Sequence, residues 1–410
     1  MSRGLWIALV VAFLILIDIY VFQAVRVMAE SWSLMGRRIA YSVYWGLSIL
    51  AVLGIFAAIV VDFEKYRLLR YFIFSGIFAN ILGKVFASLF LGVDDIMRGV
   101  QWVWQQFSPP AAPRDNSRHD FLVKGSIIAG TIPLVTMSYG IISGAHDYRV
   151  ITRRIALPNL PKSFHGIRIA QVSDIHSGSF FNKTAVKGGV EMVLNEKPDL
   201  IFFTGDLVNN ESKEVRDYIP VFNKLKAPLG VYSTLGNHDY ANYTEWPSEQ
   251  ARVQDVKNLM EAHRIMGYDL LMNEHRMLEQ GGDKLAILGV ENWGKGRFPK
   301  YGRLDQAHKG TGGAAVKLLL SHDPSHWDGQ VRPEYPDIDV MFAGHTHGFQ
   351  FGVEIGDFRW SPSQYVYKQW ADLYKEGNQY LYVNRGFGFL GFPGRVGMPP
   401  EITIIELVTA

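Results

Sequence analysis

The first 145 residues contain four apolar stretches whose length and purity a water-soluble domain rarely tolerates. Residues 4–25 hold one acid, Asp18; residues 39–61 hold no charge; residues 71–93 are interrupted only by Lys84; and the stretch 121–144 is uncharged from Gly125 onward. A helix needs about 20 apolar residues to cross the hydrocarbon core of a bilayer, so each stretch is long enough to span it. For the first, a cleaved signal peptide competes, because Arg3 precedes the apolar run. The run is too long for a signal core, however, and residues 21–28 offer no A-x-A cleavage site. For the other three, a buried soluble helix competes, and such helices rarely run this far uncharged.

Within the spans, Asp18 and Lys84 are costly against lipid and are expected to face the bundle or a polar cavity. A proton or substrate path is one reading. The simpler one is that Asp18 lies near a helix end or pairs with a neighbour while Lys84 reaches toward the interface. Pro133 predicts a bend in the fourth span. Between the third and fourth spans, Ile96, Val100, Val103, Trp104 and Phe107 recur at helical spacing, which fits a helix lying in the membrane interface or a packed amphipathic one. The segment 108–120 reads as an irregular linker. Charge does not fix orientation. With a cytoplasmic N-terminus, Arg3, Lys65, Arg67, Arg70, Arg149, Arg153 and Arg154 fall inside, while Arg26, Arg37, Arg38, Arg98, Arg114, Arg118 and Lys124 fall outside, a tie. Four spans place the C-terminal half on the side of the N-terminus.

From about Ile151 the pattern changes to short apolar strands alternating with polar helical segments, as in an α/β domain. The chain has no cysteine, so disulfides, thiolate nucleophiles and cysteine-zinc sites are excluded, and any metal must rest on His, Asp, Glu or Asn. A net charge of +2 gives no sign of nucleic-acid binding. Five predicted strands end in polar clusters: IRIAQV runs into Ser173, Asp174 and His176; LIFF into Gly205 and Asp206; GVYS into Gly236, Asn237, His238 and Asp239; VKLLL into His322 and Asp323; and DVMFA into Gly344, His345 and His347. Five of the 12 histidines sit in these turns. Because α/β sheets gather ligands at the carboxyl ends of their strands, the five turns point to one shared site. Imidazole nitrogen and carboxylate oxygen together suit two divalent ions of the Mn, Fe, Co or Zn type, and one carboxylate can bridge a pair about 3.5–4 Å apart.

The blocks SDIH, GDLV, GNHD, SHDP and GHTHG, in this order and spacing, resemble the calcineurin-like metallophosphoesterase superfamily, and more narrowly its membrane-tethered bacterial branch. The likeness covers roughly residues 160–410, and the closing NRGFGFLGFPGRVGMPPEITIIEL is similar to the last segment of that branch. It implies a calcineurin-like α/β/β/α metallophosphoesterase sandwich over residues 146–410; with the N-terminal four-helix transmembrane region that the apolar stretches predict for residues 1–145, more spans than the single anchor or none that many relatives carry, the expected fold class is α/β behind a membrane region. It also implies roles. Asp174, His176, Asp206 and His347 would hold one metal, and Asp206, Asn237, His322 and His345 the other, with Asp206 as the bridge. His238 would protonate the leaving oxygen or contact the phosphoryl group, and Asp239 would orient that histidine. The turn departs from the branch at Phe349, where GHTHGGQ would place a second glycine.

The expected function is metal-dependent hydrolysis of a phosphate ester, phosphodiester or pyrophosphate, at or in the membrane, on a substrate that is lipid-linked or otherwise bilayer-associated. No nucleic acid is expected as partner. The alternatives are a non-catalytic metal-binding membrane receptor or scaffold, and a transporter regulated by the soluble domain. Elsewhere, Asn209 and Asn210 fit substrate contact or a turn, and His326 fits an extension of the site or a surface position. Lys295, Arg297, Lys300 and Arg303 fit an anion patch or a solvated loop. The aromatic stretches 359–370 and 386–394 fit an apolar rim or ordinary packing.

Overall fold

The computed structural model describes residues 3–60, 66–107, 117–296, 298, 300–356 and 358–410. The chain divides into two compact units, Met1–Tyr139 and Gly140–Ala410. Most of the expected linker lies outside the described residues; its last four residues begin a helix.

Four helices carry the apolar stretches: α1 (Arg3–Met28), α2 (Leu34–Val60), α3 (Arg67–Gln105) and α4 (Ser117–Ile142), and all four are long and apolar enough to cross a membrane. The interfacial helix expected near residue 100 is not a separate element but the continuation of α3. No proline breaks the chain there, and Asp94 pairs with Arg98 one turn on at 2.8 Å. At 1.5 Å per residue this helix measures about 58 Å, nearly twice an apolar layer of about 30 Å, so part of it lies beyond the hydrocarbon. Pro133 sits inside α4 without ending it.

The two charged residues of the spans meet each other. Asp18 of α1 and Lys84 of α3 form a buried ion pair. Lys84 also donates to Ser48 Oγ on α2 at 2.7 Å, and Tyr44 of α2 donates to the Asp18 carbonyl at 2.8 Å. Lys84 therefore does not reach for the interface; three helices are tied around one neutralised pair, where either charge alone would be costly. The helices α3 and α4 approach closely where Gly83 and Gly130 meet: a Cβ at Gly130 would lie 3.0 Å from the Gly83 carbonyl.

Among the described residues the second unit is built on fourteen strands: β1 (Arg149–Leu157), β2 (Ile167–Val172), β3 (Leu200–Phe203), β4 (Val231–Ser233), β5 (Asp269–Leu270), β6 (Glu274–Gln280), β7 (Asp283–Gly289), β8 (Val316–Leu320), β9 (Val340–Ala343), β10 (Val353–Ile355), β11 (Phe358–Trp360), β12 (Asp372–Glu376), β13 (Gln379–Val383) and β14 (Glu401–Thr409). One sheet runs β1-β14-β2-β3-β4-β5, the other β12-β13-β9-β8-β7-β6, and β10 and β11 form a separate two-stranded sheet. In the first sheet β2, β3, β4 and β5 run parallel and β14 lies antiparallel to β2; in the second, β13, β9, β8 and β7 run parallel.

Side chains alternate across each strand, and this alternation divides the core. Ile169, Phe202, Leu285, Leu318, Phe342 and Ile405 fill the space between the sheets. On the outer face of the first sheet, Ala170, Ile201 and Phe203 meet Val186, Val190 and Val193 of α5 (Lys183–Asn195), Phe222 of α6 (Ile219–Phe222) and Leu259 and Met266 of α7 (Glu249–Met266). On the outer face of the second, Leu288, Leu319 and Met341 meet Leu304 of α8 (Leu304–His308), as well as Trp327 and Val331. The four layers form the expected α/β/β/α sandwich. The polar segment 212–226 between β3 and β4 does not form one helix: with Pro220 inside it, it holds a 3-10 turn at Ser212–Val215 and the single turn of α6.

Candidate metal centre

Both sheets direct the carboxyl ends of their parallel strands toward one place, where the turns after β2, β3 and β4 meet those after β8 and β9. The Asp174 amide donates to the Gly205 carbonyl at 2.9 Å, the His176 amide to the Asp206 carbonyl at 3.1 Å, and the His345 amide to both Asp174 oxygens at 3.0 Å. Turns remote in sequence are thus bonded directly to one another. Five side chains point inward from left-handed backbone, with φ of 51° at Asp174, 47° at His176, 59° at Asp206, 70° at His345 and 53° at His347. Non-glycine residues adopt this region at a cost of about 1–2 kcal/mol, and such strain concentrates at functional sites. Room for the turns comes from Gly205, at φ 95°, whose added Cβ would lie 2.5 Å from the Gly236 nitrogen.

Six of the seven expected ligands fall into two triads, Asp174–His176–His347 and Asp206–His322–His345, each with donor atoms within 4.8 Å of one another. His347 Nε2 lies 3.2 Å from Asp174 Oδ1 and 3.0 Å from His176 Nε2, while His345 Nδ1 lies 3.3 Å from His322 Nε2. Asp206 stands between them, its Oδ2 lying 3.5 Å from His176 Nε2 and 3.2 Å from His322 Nε2. The seventh, Asn237, donates from Nδ2 to the Tyr243 hydroxyl at 2.9 Å, which leaves its buried Oδ1 without a hydrogen-bond partner. A buried oxygen donor left unsatisfied beside facing imidazole nitrogens and carboxylates fits a divalent cation, which would take up all of these lone pairs.

Electrostatics point the same way. Burial raises the Asp174 carboxyl, yet His347 beside it holds it below the usual carboxylate range. Asp206 is likewise held well below, because His322 and His238 outweigh burial. Burial lowers His176 to about 3 and also lowers His345. Burial opposes charge on His322 too, but Asp206 and Asp174 push it up to about 10. The field of the paired carboxylates therefore favours positive charge at this point, on an imidazole or on a metal.

His238 and Asp239 differ from the expected pairing. The partner of His238 Nδ1 is the Asn209 carbonyl at 2.7 Å, and its ring lies 4.3 Å from that of Tyr243. Asp239 instead accepts backbone N–H groups: Gly236 at 2.9 Å, Asp206 at 2.8 Å, Leu207 at 2.8 Å and Val208 at 3.3 Å. It braces the turn that carries Asp206 and is not the group that orients His238. Burial, then the charge of Asp206, push the Asp239 carboxyl up to about 7 against the pull of these amides. Asn209 accordingly holds His238 through its carbonyl, while its side chain meets Ser179 at 2.9 Å.

Several contributors carry no strand-end signature. The Tyr367 hydroxyl meets His345 Nε2 at 2.8 Å, and Phe298 stands edge-on to the same ring at 4.9 Å. Arg395, fully buried, donates to the Arg385 and Gly388 carbonyls and meets His347 Nδ1 at 3.2 Å. The clue for Tyr367 was the aromatic stretch 359–370; nothing local marks Arg395. His326 neither extends the site nor lies at the surface. It is buried, stacks on Trp293 at 4.5 Å and bonds Ser321 and Gln330. Phe387 and Phe389 are core residues, which leaves packing as the reading of that stretch. Arg303 pairs with Asp305 and Lys300 covers Trp293, as in a solvated loop; Arg297 lies outside the described residues.

Residues 2–145 match a family model described as "Probable Calcineurin-like phosphoesterase, transmembrane domain", and residues 167–349, which contain every expected ligand and His238, match "Calcineurin-like phosphoesterase". The chain is a calcineurin-like metallophosphoesterase. Members of this family are phosphate hydrolases that use divalent metals. The phosphoesterase is similar to a transmembrane protein with metallophosphoesterase domain of Danio rerio, at 29% identity over 72% of this chain and 67% of that one. It is also similar to the metallophosphoesterase YkuE of Bacillus subtilis, at 29% identity over 71% and 97%. A third relative, the UDP-2,3-diacylglucosamine pyrophosphatase LpxG of Chlamydia trachomatis, is 28% identical over 60% and 86%.

Proposed function

We propose that this membrane protein, with a transmembrane region to about residue 145 and a catalytic domain from about residue 146, hydrolyses a phosphate ester, diester or pyrophosphate of a bilayer-associated substrate. The observation that carries this reading is Asp206, placed within 3.5 Å of one histidine triad member and 3.2 Å of the other. Asp174, His176 and His347 would hold one divalent ion, and Asn237, His322 and His345 a second, with Asp206 shared. Nitrogen and oxygen donors together favour Mn, Fe, Co or Zn over calcium. When bound, such a pair supplies Lewis-acid charge to a phosphoryl oxygen and makes a nucleophile available near neutral pH.

The chain's own residues supply the rest. With Nδ1–H directed at the Asn209 carbonyl, the His238 ring is held in one orientation, and Nε2 is the nitrogen through which the ring, when it carries a second proton, would give that proton to the leaving oxygen. Asp239, through its four backbone amides, fixes the turn that carries Asp206. Tyr367 and Tyr243 touch His345 and Asn237 and would orient these ligands. A lipid-linked pyrophosphate is one member of the substrate class, in keeping with the name of the chlamydial relative.

The test is hydrolysis of bis-p-nitrophenyl phosphate and p-nitrophenyl phosphate by the purified full chain, with Mn added or chelator present, beside Asp206→Ala and His238→Ala. The reading expects metal-dependent release lost in both variants, with metal content normal in His238→Ala. Wild-type turnover by a His238→Ala protein of normal metal content would overturn the role of that residue.

A further inference from the structure

Beyond residue 145, ten large apolar side chains stand exposed among the described residues, and six of them fall between Phe349 and Val366. The short hairpin β10–β11 explains the concentration. Val353 pairs with Trp360 and Ile355 with Phe358, which puts these four side chains on one face; Glu354 and Arg359 share the other. The polar face is the one fastened to the domain. Arg385, itself buried, donates to Glu354 at 2.9 Å, and Arg359 donates to Asp372 at 2.7 Å. The apolar face is left outside, with Ile355 72% and Phe358 61% exposed, beside Tyr365 at 76% and Val366 at 65%. A hairpin on a water-soluble domain normally turns its apolar face to the core and its charges to solvent. This one is inverted.

We infer that the β10–β11 face, together with Tyr365 and Val366, docks on the surface of a lipid bilayer. The same chain carries four spans, so a bilayer is the one apolar medium that every copy of this domain accompanies. The composition suits the interface. Ile355 and Phe358 are fully apolar, while Trp360 and Tyr365, joined by a 3.3 Å hydrogen bond from indole to hydroxyl, combine an apolar body with a polar tip. Along the chain, the exposed apolar residues begin at Phe349, two residues past His347, and end at Val366, next to Tyr367, whose hydroxyl meets His345. If the proposed function holds, a phosphate carried at the membrane surface approaches the centre from this side. The lipid contact itself rests only on the exposure, the pairing and the spans, and it stands or falls without reference to catalysis.

The absence of cysteine from the chain makes the test direct. Single-cysteine variants Ile355→Cys and Phe358→Cys, and Ile265→Cys on the exposed side of α7 as control, are labelled with an environment-sensitive fluorophore. The full chain is then placed in nanodiscs of phosphatidylcholine and phosphatidylglycerol; unchanged melting of each variant establishes that it is folded. Blue-shifted emission at 355 and 358, quenched by doxyl-labelled lipid but not by iodide, with the reverse at 265, is the expected result. Iodide quenching at 355 and 358 equal to that at 265 would overturn the inference. Protection from both quenchers would also overturn it, by assigning the face to a second copy or another protein.

Discussion

Replacing Gly205 by alanine probes how the centre is assembled, because this glycine separates the turn of Asp206 from that of Asn237. Its φ is 95°, and an added Cβ would lie 2.5 Å from the Gly236 nitrogen, 2.8 Å from the Gly236 Cα and 2.9 Å from His322 Nδ1, all inside the 3.0 Å that real Cβ atoms respect. Two costs add. Left-handed backbone in an L-residue costs about 1–2 kcal/mol, and forcing a methyl into a filled core costs about 1–3 kcal/mol more. The expected loss is therefore about 2–5 kcal/mol of stability. The two turns must also part by about 0.5 Å to restore the closest contact to 3.0 Å, whereas metal sites tolerate about 0.2 Å in their ligand distances. Metal affinity should drop at least tenfold and turnover with it. Melting, metal content by mass spectrometry and p-nitrophenyl diester hydrolysis would be compared with Gly188→Ala in α5, where nothing lies within 4 Å and a gain of about 0.5–1 kcal/mol is expected. A Gly205→Ala protein with parental metal content and turnover would refute the argument.

Asp239→Asn keeps the shape but turns an N–H₂ toward amides that now find an oxygen. It should lower the stability of the metal-loaded protein by about 2 kcal/mol and weaken metal binding, read by calorimetric titration; an unchanged affinity would count against its bracing role. His263, buried in α7 against Phe203 and Tyr268, is lowered by burial from 6.5 to about 3. The unfolded chain thus takes up a proton that the folded one refuses. Stability is unaffected above about pH 6.5 and falls as pH drops toward 3, by at most about 1.4 kcal/mol per unit. His263→Gln should flatten that slope in pH-dependent melting, and an identical slope would exclude His263 as its source. In the spans, Asp18→Ala or Lys84→Ala leaves one buried charge unpaired and should cost about 3 kcal/mol in detergent unfolding, while the double variant should cost less than the two singles together; strict additivity would mean that the pair is not coupled.

Much of the site could be read from the sequence, because metal ligands on this fold sit at strand ends, and an apolar run followed by Asp, His or Asn is a local signal. Asp174, His176, Asp206, His322, His345 and His347 all stand at such strand ends, the family resemblance singles them out as ligands, and the structure gathers them in two triads. For Asp239 the resemblance implies His238 as the partner. Its carboxylate in fact reaches across to the amides of residues 206–208, contacts that depend on how β3 and β4 lie side by side. Composition separates the run from Asp94 to Phe107 from the third span, yet helical hydrogen bonding continues wherever no residue interrupts it, and α3 runs on to Gln105.

What is legible along the chain has a local cause: four spans, from unbroken apolar length; the strands of an α/β domain, from short apolar runs; and the polar clusters at their ends, from residue type and place. Only the tertiary structure decided which atoms face one another. It paired Asp18 with Lys84 across 66 residues of chain, set Asp206 between two histidine groups, and left the apolar face of β10–β11 outward by fastening its charged face to Arg385 and Asp372. Local propensity depends on neighbours along the chain. Charge pairing, ligand geometry and the choice of buried face depend on neighbours in space, and these exist only once the sheets have packed.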